Sequence, residues 1–299
     1  MAPLTLPYTV LDVFTTKPFS AGNPLALVRL THETAKHITQ EQKQLIAREF
    51  NFSETVFPHD YEPDSIPPEK GGPARAVKRA FDIFTKPVEI LFAGHPTIGT
   101  ATWCFDHVFP AGAQKGVLVM HSRGGGRVTR AELLERQPEL AEVGGGDWLE
   151  EGFEVNMKIP SLEIMEKIRP AKPPSVEHIL DEDFQGAIGG LQFYCELPVA
   201  TEEGLSPSRR FRVRRMTSLG EEDPATGSAA CALSVWMSGK ANSSDPRGRR
   251  DFRYEIEQGV EMGRKSDIVV EIRLRGDGGP ESVALLGHAV ISMDGSLQL

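Results

Sequence analysis

Phe92-Ala93-Gly94-His95-Pro96-Thr97-Ile98-Gly99-Thr100-Ala101 is echoed later in the chain by Asp223-Pro224-Ala225-Thr226-Gly227-Ser228-Ala229. Aligned on their prolines, both stretches read His or Asp, Pro, two residues, Gly, Ser or Thr, and Ala. An apolar run follows each, Thr102-Trp103-Cys104-Phe105 in one and Ala230-Cys231-Ala232-Leu233 in the other. Both predict a helix entrance, because proline suits the first helical position and Asp before it is a favourable N-cap. Small residues at Gly99, Thr100, Ala101 and at Gly227, Ser228, Ala229 let backbone or a ligand approach the first turn. Unpaired N–H groups and the positive end of the helix dipole suit such an entrance to an anion. Either stretch alone reads as an ordinary capped helix. The repetition adds to this, since positions 95 and 223 lie 128 residues apart, about one domain length. It predicts two similar halves whose central helices start at a shared cleft, with a polar side chain from each facing one ligand.

A chain of 299 residues is long enough for two such domains, each burying its own core. The net charge of −9 and a pI near 5.5 argue against a nucleic-acid partner, which calls for a basic face. The one basic run, Arg209-Arg210-Phe211-Arg212-Val213-Arg214-Arg215, alternates at strand spacing and reads as a solvated strand face. Cys104, Cys195 and Cys231 stand far apart with no CxxC pair and no His spacing suited to zinc, so they read as reduced, buried thiols of a cytoplasmic protein without a metal site. The start of the chain lacks a basic region followed by an apolar core, and no apolar run of about 20 residues could span a bilayer.

Along the chain, residues 8–14 and 25–30 read as strands around a turn-rich loop. Thr39 to Glu49 reads as a helix, with Thr39 and Gln42 spaced as a capping box. Immediately afterwards Glu54 stands in the strand-like Asn51-Phe52-Ser53-Glu54-Thr55-Val56-Phe57, an unusual place for a carboxylate. Residues 60–78 and 136–151 read as polar insertions. Short strands at 81–84 and 88–91 lead into the Gly94-His95-Pro96 entrance, and further strands at 116–121 and 127–129 end the first half. In the second half, strands at 153–159, 191–197, 211–216, 252–258, 267–273, 282–286 and 288–293 are interrupted by a short helix at 176–180 and by the helix after Asp223. Many strands with one long helix per half give an α+β fold rather than a doubly wound sheet. Neither a dinucleotide fingerprint nor a Walker-type Gly-Lys-Ser/Thr is present.

Five blocks in order, Asp12-Val13-Phe14 with Gly22-Asn23-Pro24-Leu25-Ala26, Phe52 to Phe57, Phe92 to Thr97, Glu222 to Ala229, and Gln258-Gly259 with Met262-Gly263-Arg264, resemble the PhzF-like isomerases of phenazine biosynthesis. The resemblance spans nearly the whole chain. It implies a diaminopimelate epimerase-like fold of two pseudo-symmetric domains, each a curved, mostly antiparallel sheet wrapped around a central helix. The halves would be residues 1–123, with 288–299 returning to them, and 124–287. It implies a homodimer, no cofactor, and an active site in the interdomain cleft for a small carboxylated metabolite.

Carried over residue by residue, the resemblance makes Glu54 the catalytic acid/base and His95 and Asp223 the polar partners that line the substrate's other side. Gly94, Gly227 and Ser228 match positions that hold the substrate carboxylate. A desolvated Glu rises toward neutrality and can take and return a proton. The thiol-pair racemases of this fold carry cysteines at the two helix entrances, where this chain has Ala93 and Pro224, so single-residue chemistry by Glu54 is the implied mechanism. Met216 and Ser218 depart from the Phe and Pro that the family often has there, and the alternative they support is a non-catalytic binding or scaffolding protein that retains the fold. Trp103, Trp236, Phe105 and Phe109 read as interior or interface aromatics.

Overall fold

The computed structural model describes residues 4–59, 65–66, 76–90, 92–108, 116–122, 128–133, 140–144, 153–169, 188–198, 208–217, 220–244 and 248–299. These fall into two compact units, Met1–Gly144 with Leu286–Leu299, and Gly145–Leu285.

The first unit opens with β1 (Thr5–Val13) and β2 (Asn23–Val28), paired antiparallel from Tyr8 opposite Val28 to Val13 opposite Asn23. The loop between them is held by the Phe19 backbone N–H, which donates to Asp12 Oδ2 at 2.7 Å. Its exit needs Gly22: φ is +76°, and a Cβ there would stand 2.6 Å from the Val13 carbonyl oxygen.

Two helices follow, α1 (His32–His37) and α2 (Gln40–Phe50), each opened by a complete capping box, Thr31 with Thr34 and Thr39 with Gln42. The sequence reading finds α2 and misses α1, which buries none of its residues and so carries no apolar stripe to signal it. A left-handed C-cap at Asn51 ends α2. The chain then enters β3 (Glu54–Pro58), parallel to β2 with Thr55 opposite Ala26.

β4 (Ser65–Ile66), β5 (Ala76–Thr85) and β6 (Glu89–Ile90) come next. Strand thus begins at Ala76, inside the stretch expected to be loop. After α3 (Gly94–Val108) come β7 (Gly116–Ser122), β8 (Val128–Leu133) and β9 (Leu140–Gly144), the last within the expected 136–151 insertion. β7 pairs parallel to β5, and β8 and β9 continue the ladder, carrying the unit to Gly144.

The strand order β1-β2-β3-β5-β7-β8-β9 brings six of these strands against α3. Gly99 allows the close fit of α3 on β1 and β2: a Cβ there would lie 2.5 Å from Leu25 Cδ2 and 2.9 Å from Val13 Cγ2. Another apolar cluster, with Leu6, Val28, Leu30, Phe57 and Phe84, receives Ile46 and Ala47 of α2. Full burial of a side chain such as Phe57 contributes roughly 1.5–3 kcal/mol.

The second unit contains β10 (Phe153–Lys158), α4 (Leu162–Lys167), β11 (Ile188–Leu197), β12 (Arg209–Thr217), β13 (Glu222–Asp223), α5 (Gly227–Ser244), β14 (Asp251–Gln258), β15 (Ser266–Leu274) and the start of β16 (Pro280–Gln298). Its order is β10-β11-β12-β14-β15, with β13 against β12, and α5 packs against β10, β14 and β15. From Leu286 onward β16 belongs to the first unit, where it pairs antiparallel with β1. Mixed parallel and antiparallel pairing with few helices makes the fold α+β. Among the described residues no helix is long and apolar enough to cross a membrane. The expected helix at 176–180 and Phe109 lie outside the described residues.

The basic run on β12 is a partly exposed, ion-paired strand face in which Arg214 alone of the arginines is buried. Arg209 pairs with Glu196 at 2.9 Å and Arg212 with Glu257 at 2.9 Å, while Arg214, only 3% exposed, holds Glu222 through Nη2 at 2.6 Å and Nε at 2.7 Å. β12 lies between β11 and β14, and register sets Arg210 and Arg212 directly opposite Glu255 and Glu257.

The two helix entrances also differ from the reading that placed each proline at the first helical position. α3 starts at Gly94, so His95 and Pro96 are inside its first turn, and Ala93 O accepts from Thr97 N. α5 starts at Gly227, three residues beyond Pro224, with Thr226 O accepting from Ala230 N. Asp223 instead closes the short β13 opposite Arg215. A hydrogen-bonded turn replaces the first turn of helix there, for a reason that lies in the contacts of Asp223.

Candidate active site

Within each unit the fold groups the sequence blocks singled out above. In the first unit, register places Asp12 and Val13 opposite Pro24 and Asn23. Asn23, 1% exposed, accepts through Oδ1 from Ser53 Oγ at 3.3 Å. Ser53 is the residue before Glu54, so the first two blocks support the start of β3.

Glu54 and His95 meet. His95 Nδ1 stands 3.2 Å from Glu54 Oε2, with the side chains 3% and 17% exposed. The αL turn at Asn51 aims the chain into β3, and Glu54 is its first residue. His95 enters from the first turn of α3, beside Gly94 and Pro96, both buried. His95 Nε2 is buried with no hydrogen-bond partner among the described residues. A buried polar atom left so costs about 1–3 kcal/mol, which a ligand group can recover. Carboxylate and imidazole together can pass a proton to and from a ligand and steady the charge that develops.

Asp223, Gly227 and Ser228 belong to the second unit, grouped at the start of α5. The Thr226 hydroxyl donates a short hydrogen bond to Asp223 Oδ2, and the Ala225 N–H donates to Oδ1 at 3.4 Å. Arg215 Nη1 is 4.0 Å from Oδ2. Here is the reason for the late helix start: Asp223 caps a local turn of its own.

Gln258 also serves this turn. Its Nε2 donates to Asp223 O at 2.8 Å and to Thr226 Oγ1 at 3.1 Å, and its Oε1 accepts from Thr226 N at 3.2 Å. The sequence reading assigns no role to Gln258 or Arg215. A signal exists for Gln258, since the inward positions of β14 run Phe252, Tyr254, Ile256, Gln258, and the last breaks an otherwise apolar or aromatic alternation. One residue further, Gly259 has φ +72°, and a Cβ would stand 2.6 Å from Pro224 O and 2.5 Å from Arg264 O.

Behind Asp223, Arg214 pairs with Glu222 and donates to Met165 O and Ile168 O at 3.0 and 2.6 Å, fixing α4 to β12. The Glu222 hydrogen bond holds the guanidinium above its ordinary pKa against the opposing effect of burial. Among the described residues no group of three or more His, Cys, Asp or Glu side chains is arranged to hold a metal ion. All three cysteines are free and buried, and burial pushes the Cys231 thiol far up.

Comparison with known proteins gives a coherent match. The sequence pattern of the PhzC-PhzF family, phenazine biosynthesis-like proteins, matches residues 11–143 and 194–295. An uncharacterised isomerase of Mesorhizobium japonicum is 32% identical, over 97% of this chain and 98% of its own. The trans-2,3-dihydro-3-hydroxyanthranilate isomerase of Pseudomonas fluorescens is 29% identical over 87% of each chain. In three dimensions, a PhzF-family phenazine biosynthesis protein of Bacillus anthracis superposes with a TM-score of 0.73 at 17% identity, covering 99% of this chain and 100% of the other.

Proposed function

Because the chain belongs to the PhzC-PhzF family of phenazine biosynthesis-like proteins, we propose that it is a cofactor-independent isomerase that moves a proton within a small carboxylated metabolite. The observation that carries the proposal is the Glu54–His95 contact at 3.2 Å, in which the imidazole is nearly fully buried and keeps Nε2 available.

Glu54 is the acid/base. Its carboxylate takes a proton from a saturated carbon, and the electron pair released moves into an adjacent double bond. The same carboxyl then returns the proton to the far carbon of that system. One C–H bond breaks and one forms, so the substrate is neither oxidised nor reduced and no co-reactant is needed. His95 hydrogen-bonds a substrate polar group through Nε2 and steadies the charge that builds during transfer. Asp223 orients a donor group of the substrate. Gly94, Gly227 and Ser228 offer backbone N–H groups at helix starts to its carboxylate.

The Pseudomonas fluorescens relative supplies the first probe by its name, trans-2,3-dihydro-3-hydroxyanthranilate. Proton NMR of that compound in heavy water with the purified protein tests the proposal. Deuterium entering carbon with migration of a double bond supports it. No exchange into this compound or into a panel of unsaturated carboxylates overturns it.

A further inference from the structure

We infer that Gln258 is a positioning residue for this reaction, fixing the Asp223 carboxylate and the first turn of α5 in one geometry through its side-chain amide. The inference rests on the reading of function above and extends it to a residue outside the proposed catalytic set.

Gln258 is the last residue of β14 and is 0% exposed. A single carboxamide spans the turn, since Nε2 donates to Asp223 O at 2.8 Å and Oε1 accepts from Thr226 N at 3.2 Å. The opposite amide orientation would face its oxygen to the Asp223 carbonyl and its NH2 to the Thr226 N–H, so the network fixes the orientation. The second Nε2 bond, to Thr226 Oγ1 at 3.1 Å, decides where the hydroxyl proton goes. A threonine hydroxyl has one proton, and with a lone pair occupied by Gln258 that proton is directed to Asp223 Oδ2. Gln258 therefore acts on the carboxylate through Thr226.

The surroundings agree. Pro224 has no N–H, so the turn lacks one backbone donor that would otherwise tie it. Gly259 lets the backbone after Gln258 lie directly on Pro224. Packing alone would favour an apolar residue at this inward position, like Ile256 two residues before it. Arg215, 4.0 Å from Oδ2, is the charge toward which an unheld Asp223 carboxylate would swing.

Two variants test the assignment, with kcat and KM followed across pH by the heavy-water exchange assay and folding followed by circular dichroism and melting. Gln258→Leu keeps the volume and removes all three hydrogen bonds. It is expected to fold and to lose about ten- to a hundredfold in kcat with KM little changed, the scale of a catalytic group misplaced by about 1 Å. Gln258→Glu can donate to Asp223 O only while its carboxyl is protonated. Its kcat is expected to recover as pH falls, a limb absent from the native profile. A residue that only stabilised the fold would lower the melting temperature and leave the shape of the pH profile unchanged.

A native protein inert toward every carboxylate probe overturns the reading of function, and this inference with it. A native protein that exchanges while folded Gln258→Leu keeps native kcat overturns the inference alone. If Gln258→Leu does not fold, a native pH profile for Gln258→Glu has the same force.

Discussion

His95 presents Nδ1 to Glu54 Oε2 at 3.2 Å from within the first turn of α3, while Nε2, in a side chain 3% exposed, has no partner among the described residues. With Nδ1 turned to the carboxylate, Nε2 is the imidazole nitrogen left to face a bound group. Both residues lie in one unit, so this pairing is a property of a single packed core.

Replacing His95 by Ala should lower kcat by about a hundredfold or more, the usual contribution of a positioned acid–base partner. His95→Asn, which can still offer one donor, should retain more activity than the alanine variant. Steady-state exchange rates for the two variants provide the check, and equal activity in both would remove the hydrogen-bonding role.

Beside the far end of β3, between α2 and β5, lies a buried charged group that the chemistry does not use. Lys43 Nζ on α2 is 2.6 Å, and His59 Nε2 is 3.0 Å, from Asp82 Oδ2, and their side chains are 7%, 1% and 0% exposed in that order. Burial by itself would raise the Asp82 pKa, but the hydrogen bonds and charges of His59 and Lys43 outweigh it and hold the carboxyl below its usual 3.8. A lowered folded pKa means the unfolded chain binds more protons in that range. Stability from Asp82 is therefore complete above the unfolded value and lost as pH falls through the folded one. Urea unfolding should show an acid limb below about pH 4 that is shallower in Asp82→Asn. Lys43→Met should cost roughly 2–3 kcal/mol at neutral pH, less than a pair broken outright, because His59 stays beside the carboxylate.

Gly259→Ala tests the packing of the Asp223 turn. With φ at +72° and two carbonyl oxygens within 2.6 Å of the new Cβ, the substitution cannot be absorbed by a flexible side chain. Strain of this kind costs about 1–3 kcal/mol. Melting should report that loss, whereas the same substitution at Gly239, where nothing lies within 4 Å of the added Cβ, should not destabilise.

What the sequence made legible is uneven, and the reasons are physical. The capping box of α2 and the strands flanking the Gly22 loop are announced by local chemistry, whereas the meeting of Glu54 with His95 is not, since the resemblance sets His95 on the substrate's other side and the contact depends on how α3 packs beside β3. α1 buries none of its residues and so has no apolar stripe for the sequence to show. The repeated entrance motif does not give a repeated helix start. Similar residues start α3 one residue before His95 but α5 four residues after Asp223, since Thr226 and Gln258, the latter 35 residues from Asp223 in sequence, convert the second entrance into a capped turn. The arginine run shows its strand spacing in the sequence but not its ion pairs, because Glu196 and Glu257 come from the neighbouring strands β11 and β14.

Glu54→Gln measured beside the native protein in heavy water tests the central claim most directly. The variant keeps the shape and one acceptor of the side chain but cannot take a proton from carbon. A native protein that places deuterium at carbon and shifts the double bond, with a folded Glu54→Gln protein that binds the same compound and does neither, is the predicted result. A Glu54→Gln protein that exchanges at the native rate would contradict the account.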